Sequence, residues 1–228
     1  MLRRLPFIIL RLVIYFFVIS IVWVVILRFV PVWVTPFMIS RKIEAFKADE
    51  DTKIYHDWEP YENISKEAAL AVVASEDQNF PNHWGFDFNE IYDAMTEKRK
   101  RVRGASTISQ QVAKNVFLWH GRSFIRKGLE AYFTILIEVI WNKERILEVY
   151  LNVAEMGKMT FGVEAASLRF YKKSAKNLTR SEAARIAAVL PNPVRFSIKN
   201  PSAYIMKRSN QISRQMRYLG GQKYLSDL

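Results

Sequence analysis

The sequence has no cysteine. That absence excludes disulfides, zinc–thiolate clusters and thiol nucleophiles. It fits an extracytoplasmic location without requiring one. Low-complexity tracts are missing as well. So is strand-like alternation: nothing between Ser65 and Leu219 alternates for long, and the reading is a predominantly α-helical domain. Acidic residues are scarce, 22 against 34 Lys and Arg, for a formal charge of +12. Such an excess suits a polyanion or an anionic membrane surface. Nucleic acid is the generic partner for that charge, but the N-terminus argues against a freely soluble nucleic-acid binder, and none is expected.

What is present begins with an apolar run. Leu12 to Leu27 carries no charged residue, and Arg11 and Arg28 bracket it. The apolar stretch from about Leu5 to Val34 is long enough to cross a bilayer, which needs about 20 residues. No small-x-small cleavage site follows, so an uncleaved signal-anchor is expected. Arg3, Arg4 and Arg11 favour a cytoplasmic N-terminus. The organisation read from sequence is a cytoplasmic tip and transmembrane helix over 1–38, a stem over 39–57 and a catalytic domain over 58–228. Ile39 to Phe46 is a short amphipathic stretch within the stem. Asp49-Glu-Asp51 formally matches a nucleotide-sugar signature but reads as a solvated charge run. The chemical motifs all lie beyond Trp58. A domain lacking the membrane segment is therefore expected to fold and act in detergent, yet to work poorly in bilayers.

Three stretches carry chemistry. Ser65 to Ser75 is helical and too continuously apolar to be exposed. It runs into Glu76-Asp-Gln-Asn-Phe-Pro-Asn-His-Trp-Gly-Phe-Asp87. A carboxylate at the end of a buried helix faces the negative end of the dipole among apolar neighbours. Both effects raise its pKa and suit a general acid or base. Pro81 and Gly85 turn the chain so that His83 comes back toward Glu76 and Asp77. Phe86 to Thr96 reads as a short helix, and the basic run Lys98 to Arg103 as either a solvated loop or, since it leads directly into Gly104, a basic flap over an anionic ligand.

The second stretch is Gly104-Ala-Ser-Thr-Ile-Ser-Gln-Gln-Val-Ala-Lys-Asn-Val-Phe-Leu118. Thr107 with Gln110 three residues on reads as a capping box, starting a helix near Ile108. Gln111, Lys114 and Asn115 then share a face. A helix start with free N–H groups, a glycine allowing close approach and a lysine within the helix suit a phosphate or diphosphate. The third stretch runs from Arg122 to Glu138. Arg126 and Glu130 are spaced i, i+4, with Lys127 beside them, and Glu130 is read as a partly buried, groove-facing acid. Helices are also expected over 143–152, 163–171, 181–190 and 200–219.

The motifs Glu76-Asp-Gln-Asn-Phe-x-x-His-x-Gly, Gly104-x-Ser-Thr-Ile-x-Gln-Gln-x-x-Lys-Asn, Arg126-Lys-x-x-Glu130 and Ile146-Leu-Glu-x-Tyr-Leu-Asn152 occur in this order. Together they resemble the family 51 peptidoglycan glycosyltransferases, in their monofunctional biosynthetic Gram-negative form. The resemblance covers roughly Trp58 to Leu219. No Ser-x-x-Lys occurs anywhere, so the transpeptidase chemistry of bifunctional relatives is not expected. The family implies a lysozyme-like, two-lobed helical domain preceded by one transmembrane helix. It implies polymerisation of lipid II into β-1,4 glycan strands, with inversion at the anomeric carbon and release of undecaprenyl diphosphate. Glu76 matches the base and Glu130 the second glutamate, which acts at the departing diphosphate. A divalent cation there, Mg2+ or Mn2+, is admitted by the resemblance, with no organic cofactor and no dedicated protein metal site. Lys114, Arg126 and Lys127 would neutralise the diphosphate. Asp77, Phe80, His83, Gly104, Ser106, Thr107, Gln110, Gln111 and Asn115 complete the expected substrate-binding set. The implied partners are lipid II, the growing strand, the inner membrane and cell-wall or division proteins, with the catalytic domain periplasmic. A lytic glycosidase on a similar fold would need a glutamate but not the cationic set. A non-catalytic membrane scaffold would need neither Glu76 nor Glu130.

Overall fold

The structure is a computed structural model that describes residues 5–88, 92, 106–121 and 123–228. Gly104, the basic run 98–103 and most of the helix expected over 86–96 lie outside the described residues. Helix α1, Leu5–Leu27, is the apolar run; its stretch Phe7–Leu27 has a mean hydropathy of 2.7 and is largely uncovered by protein. It is long and apolar enough to cross a membrane.

The stretch read as a stem is packed into the domain instead. Helix α2, Pro36–Lys47, is capped by Thr35, whose Oγ1 accepts from Met38 N at 3.1 Å. Met38 and Ala45 are buried. A two-residue strand β1, Tyr55–His56, pairs in parallel with β3, Thr160–Phe161, which pairs antiparallel with β2, Glu155–Gly157. The sequence reading missed this sheet because strands of two and three residues leave no alternation to see.

The remaining helices form two groups. Helix α3, Lys66–Glu76, packs with α8, Arg180–Val189, and α9, Ala203–Tyr218. Its residues Ala68 to Ala74 are all buried, which is why it shows no polar face in sequence. The other group is α4, Ile108–Phe117, packed on α5, Phe124–Ile140, and α6, Lys143–Val153. Helix α7, Val163–Tyr171, closes over the small sheet. Asn152 pins the lead-in to α6: its Oδ1 accepts from Glu59 N and its Nδ2 donates to Glu59 O, both at 2.8 Å.

Helix α1 also docks on the second group. Ser20 and Tyr132 hydroxyls lie 2.7 Å apart, Trp141 Nε1 donates to Val24 O at 2.8 Å, and Arg145 donates to Leu27 O at 2.8 Å. Val24 and Leu27 belong to the same buried core as Trp141 and Ile137. The apolar run is thus both a candidate membrane span and a packed element of the domain.

Candidate active site

Glu76 is the last residue of α3, and the site forms where that helix end meets α4. The carboxylate Oε2 accepts from Gln111 Nε2 at 3.0 Å, and Oε1 from Ser75 Oγ at 3.2 Å. Gln111 Oε1 in turn accepts from the Tyr150 hydroxyl at 3.1 Å. A chain therefore runs from Tyr150 on α6 through Gln111 on α4 to Glu76 on α3. Glu76 keeps some exposed area, yet surrounding atoms enclose its carboxylate. Burial holds its pKa above the usual carboxylate value; the bonds from Gln111 and Ser75 and the charges of Arg208 and Lys114 pull the other way.

The turn after α3 is a support for α4. Asp77 and His83 are buried, with His83 Nε2 3.0 Å from both Asp77 carboxylate oxygens. Gly85 N donates to His83 Nδ1 at 3.0 Å, which assigns the ring proton to Nε2 and makes it the donor to Asp77. Asp77 Oδ2 also accepts from Ile108 N, at 2.9 Å, at the start of α4. Thr107 Oγ1 donates to Gly85 O at 2.6 Å and accepts from Gln110 N, while Gln110 Oε1 accepts from Thr107 N at 3.0 Å. The capping box is present in full. Phe80 is wholly buried, under Lys143 Nζ at 4.6 Å from its ring centre. Asp77, Phe80, His83, Thr107 and Gln110 thus sit beneath the site and hold it. Ser106 is exposed.

A polar cavity of about 490 Å³ opens alongside, with Gln111, Lys114, Asn115 and Arg126 on one wall and Arg41, Glu155 and Asn192 among its other lining residues. Burial pushes the Lys114 ammonium below its usual range; Glu130 and Glu76 draw it up, Arg126 and Lys127 further down. Glu130 is buried on α5, bonded to Lys127 Nζ and 3.6 Å from an Arg126 guanidinium nitrogen. Asn115 Oδ1 and Arg126 Nε are buried without hydrogen-bond partners. Unsatisfied polar atoms in a cavity wall are positioned for a polar ligand. The set as a whole is cationic, which suits an anion next to a base. As for a resident divalent cation, Glu130 is already engaged by two cationic side chains, and no group of three metal-ligating side chains occurs among the described residues. These residues do not form a cation site of their own.

Several functional candidates were not legible as such. Tyr150 is buried on its helix like an ordinary core residue, but its hydroxyl orients Gln111. Arg208 on α9 donates to Ser75 O at 3.1 Å and sits near enough to Glu76 to bias its charge. Its only sequence signal is its place beside the buried stripe Ile205, Ser209, Ile212 and Met216. Arg41 and Glu155, paired at 3.0 Å, come from the supposed stem and the small sheet.

Comparison with known proteins places the chain in a wider set. The family described as Transglycosylase matches residues 41–217. A biosynthetic peptidoglycan transglycosylase of Pseudomonas putida strain F1 is 53% identical over 211 residues, covering 92% of this chain and 89% of the relative. One of Pseudomonas entomophila is 50% identical over 230 residues, covering 100% and 96%. One of Mannheimia succiniciproducens is 52% identical over 209 residues, covering 90% and 86%.

Proposed function

Since the chain belongs to the transglycosylase family, and its activity class is peptidoglycan transglycosylation, we propose that it polymerises lipid II into β-1,4-linked glycan strands. The domain has the lysozyme-like helical fold of that family. In the proposed step Glu76 takes the proton from the acceptor sugar's 4-hydroxyl. The hydroxyl oxygen attacks the donor's anomeric carbon from the face opposite the diphosphate, so the centre inverts. The bond from that carbon to the diphosphate oxygen breaks, and undecaprenyl diphosphate leaves with the electron pair. Lys114, Arg126 and Lys127 stabilise the charge that develops there. Glu130 orients Arg126 and Lys127. No step is assigned to a metal ion. The domain faces the periplasm, with the N-terminus of α1 cytoplasmic and α1 spanning the inner membrane.

The single observation that carries this reading is the pairing on α4. Gln111 and Lys114, one turn apart, join a carboxylate of raised pKa to a half-buried cation. An inverting displacement needs a base on one side of the reacting carbon and an anion site on the other. A lytic glycosidase would need a carboxylic acid for its leaving group and no cationic cavity. The test is incubation of the purified full-length protein with lipid II in detergent, with products resolved by size. Glycan polymer from the wild type and none from Glu76→Gln is the expected result. Shortening of preformed glycan, or turnover unaffected by Glu76→Gln, would overturn the reading.

A further inference from the structure

A second cavity, apolar and of about 680 Å³, adjoins the polar one. Its walls include Ile19, Trp23 and Val30 from α1 and its exit, and Val116, Phe117 and Phe133 from the domain. Two segments border both cavities. On α4, Lys114 and Asn115 line the polar cavity, while Val116 and Phe117 line the apolar one. At the start of α2, Phe37 lines the first and Pro36 the second. A single amphiphile with an anionic head and a hydrocarbon tail matches this pair of adjoining cavities.

We propose that the apolar cavity binds the head-proximal part of the polyprenyl chain of the donor lipid, so that α1 forms one wall of the substrate site. This rests on the reading of Lys114 and Arg126 as a diphosphate site. The wall is held in register by directional bonds, Ser20 to Tyr132 and Trp141 to Val24. Phe117 and Phe133 stack at 4.4 Å to form its floor. The cavity volume falls in the range of about 300–1,000 Å³ usual for small-molecule sites, so it takes one segment of a long chain and leaves the rest in the bilayer. A chain passing from lipid into an apolar protein groove gains no hydrophobic free energy, because both media are apolar. What it gains is packing and confinement. Head and tail sites on one ligand raise each other's effective concentration, and the tail fixes the direction in which the diphosphate points. An ordinary phospholipid carries only a phosphodiester, set off from its tails by glycerol, and so fits the paired sites less well than a diphosphate borne directly on a hydrocarbon chain.

The test uses full-length protein in phospholipid vesicles. The probe is a sugar-free polyprenyl diphosphate carrying a photoreactive diazirine on an early isoprene unit. After irradiation, adducts are mapped by mass spectrometry. Adducts at Ile19, Trp23 and Phe117 are expected. Ile19→Trp, which fills the cavity from a position 67% exposed, should reduce them by about fivefold or more through loss of the linked tail site, and Ile19→Leu should not. Val30→Trp serves if Ile19→Trp fails to fold. Adducts confined to the outward Phe124, Ile125 and Val139, or equal labelling of the cavity by a diazirine phospholipid, would overturn the proposal. So would insensitivity to both filling variants. No turnover is read, so the outcome does not depend on polymerisation. A lipid II assay on the same preparation separates failure of this inference from failure of the proposed function.

Discussion

Glu76 shows how one residue takes its chemistry from its surroundings. Ionised, it costs the fold solvation; protonated, it cannot accept the hydroxyl proton. Its folded pKa is raised. Its contribution to stability is therefore fully present below the unfolded value, about 4.3, and is lost as pH rises through the folded value. Glu76→Gln should accordingly raise Tm at neutral pH while lowering turnover by about 10²–10⁴-fold. A calorimetric scan beside a lipid II assay checks both signs, and a variant less stable than wild type at pH 7 would contradict the buried-carboxylate argument. The acid limb of kcat/KM should lie above the ordinary glutamate range. Arg208 draws that pKa down, so Arg208→Gln should move the limb to higher pH. A limb that stays in place would reduce Arg208 to a structural tie to Ser75. Tyr150→Phe removes the hydroxyl that orients Gln111. Loss of one hydrogen bond is worth about 0.5–1.5 kcal/mol, so turnover should fall by about two- to twelvefold with the fold intact.

At the scale of elements, α4 is the part on which the site depends. Its start is held by Thr107, Gln110 and Asp77, and its cavity-lining residues include Gln111, Lys114 and Asn115. Gly85 sits behind that start with φ +79°, and a Cβ there would lie 2.7 Å from Thr134 Cγ2. Positive φ costs a side chain about 1–2 kcal/mol, and the clash adds to it. Gly85→Ala should lower Tm by at least about 3–6 °C on the scale of a domain this size. Activity should fall more steeply than stability, because Gly85 O anchors Thr107. Lys114 belongs to the same element and, in the proposed step, faces the leaving diphosphate. Lys114→Ala should reduce kcat and kcat/KM together, by about 10²–10³-fold as for other preorganised charge-stabilising groups. A rise in KM alone would mean that the lysine binds substrate and transition state equally.

For the whole molecule, the candidate membrane helix α1 is the part whose role changes most. Taken as a tether, it should be removable in detergent. The structure packs Val24, Leu27 and Val32 into the core, and it satisfies Tyr132, Trp141 and Arg145 with partners from α1 and its exit. Deleting residues 1–34 would uncover Trp141 and Ile137 and strand those polar groups. The truncated protein should therefore unfold at lower temperature than the full chain in the same detergent. Equal Tm for the two forms would restore the tether reading.

The sequence by itself determined the helices, the capping box and the order of the motifs, because these rest on periodicity and on residues three or four positions apart. It also marked Glu76, Lys114, Arg126 and Glu130 as candidates, since they stand in short stretches whose composition is chemical, and the fold brings them within electrostatic reach of one another. It did not separate groups that touch a ligand from groups that hold the site. Asp77 and His83 pair with each other underneath, and that pairing needs the turn at Gly85 and the start of α4 to meet in space. Nor did it place Tyr150, Arg208 or Arg41, which reach the site over separations of 39, 133 and 114 residues to their partners. The packed role of α1 was hidden for a similar reason. An apolar helix satisfies a bilayer and a protein core with the same residues, and only bonds such as Ser20 to Tyr132, 112 residues apart, show that α1 packs on the domain as well as being a candidate span.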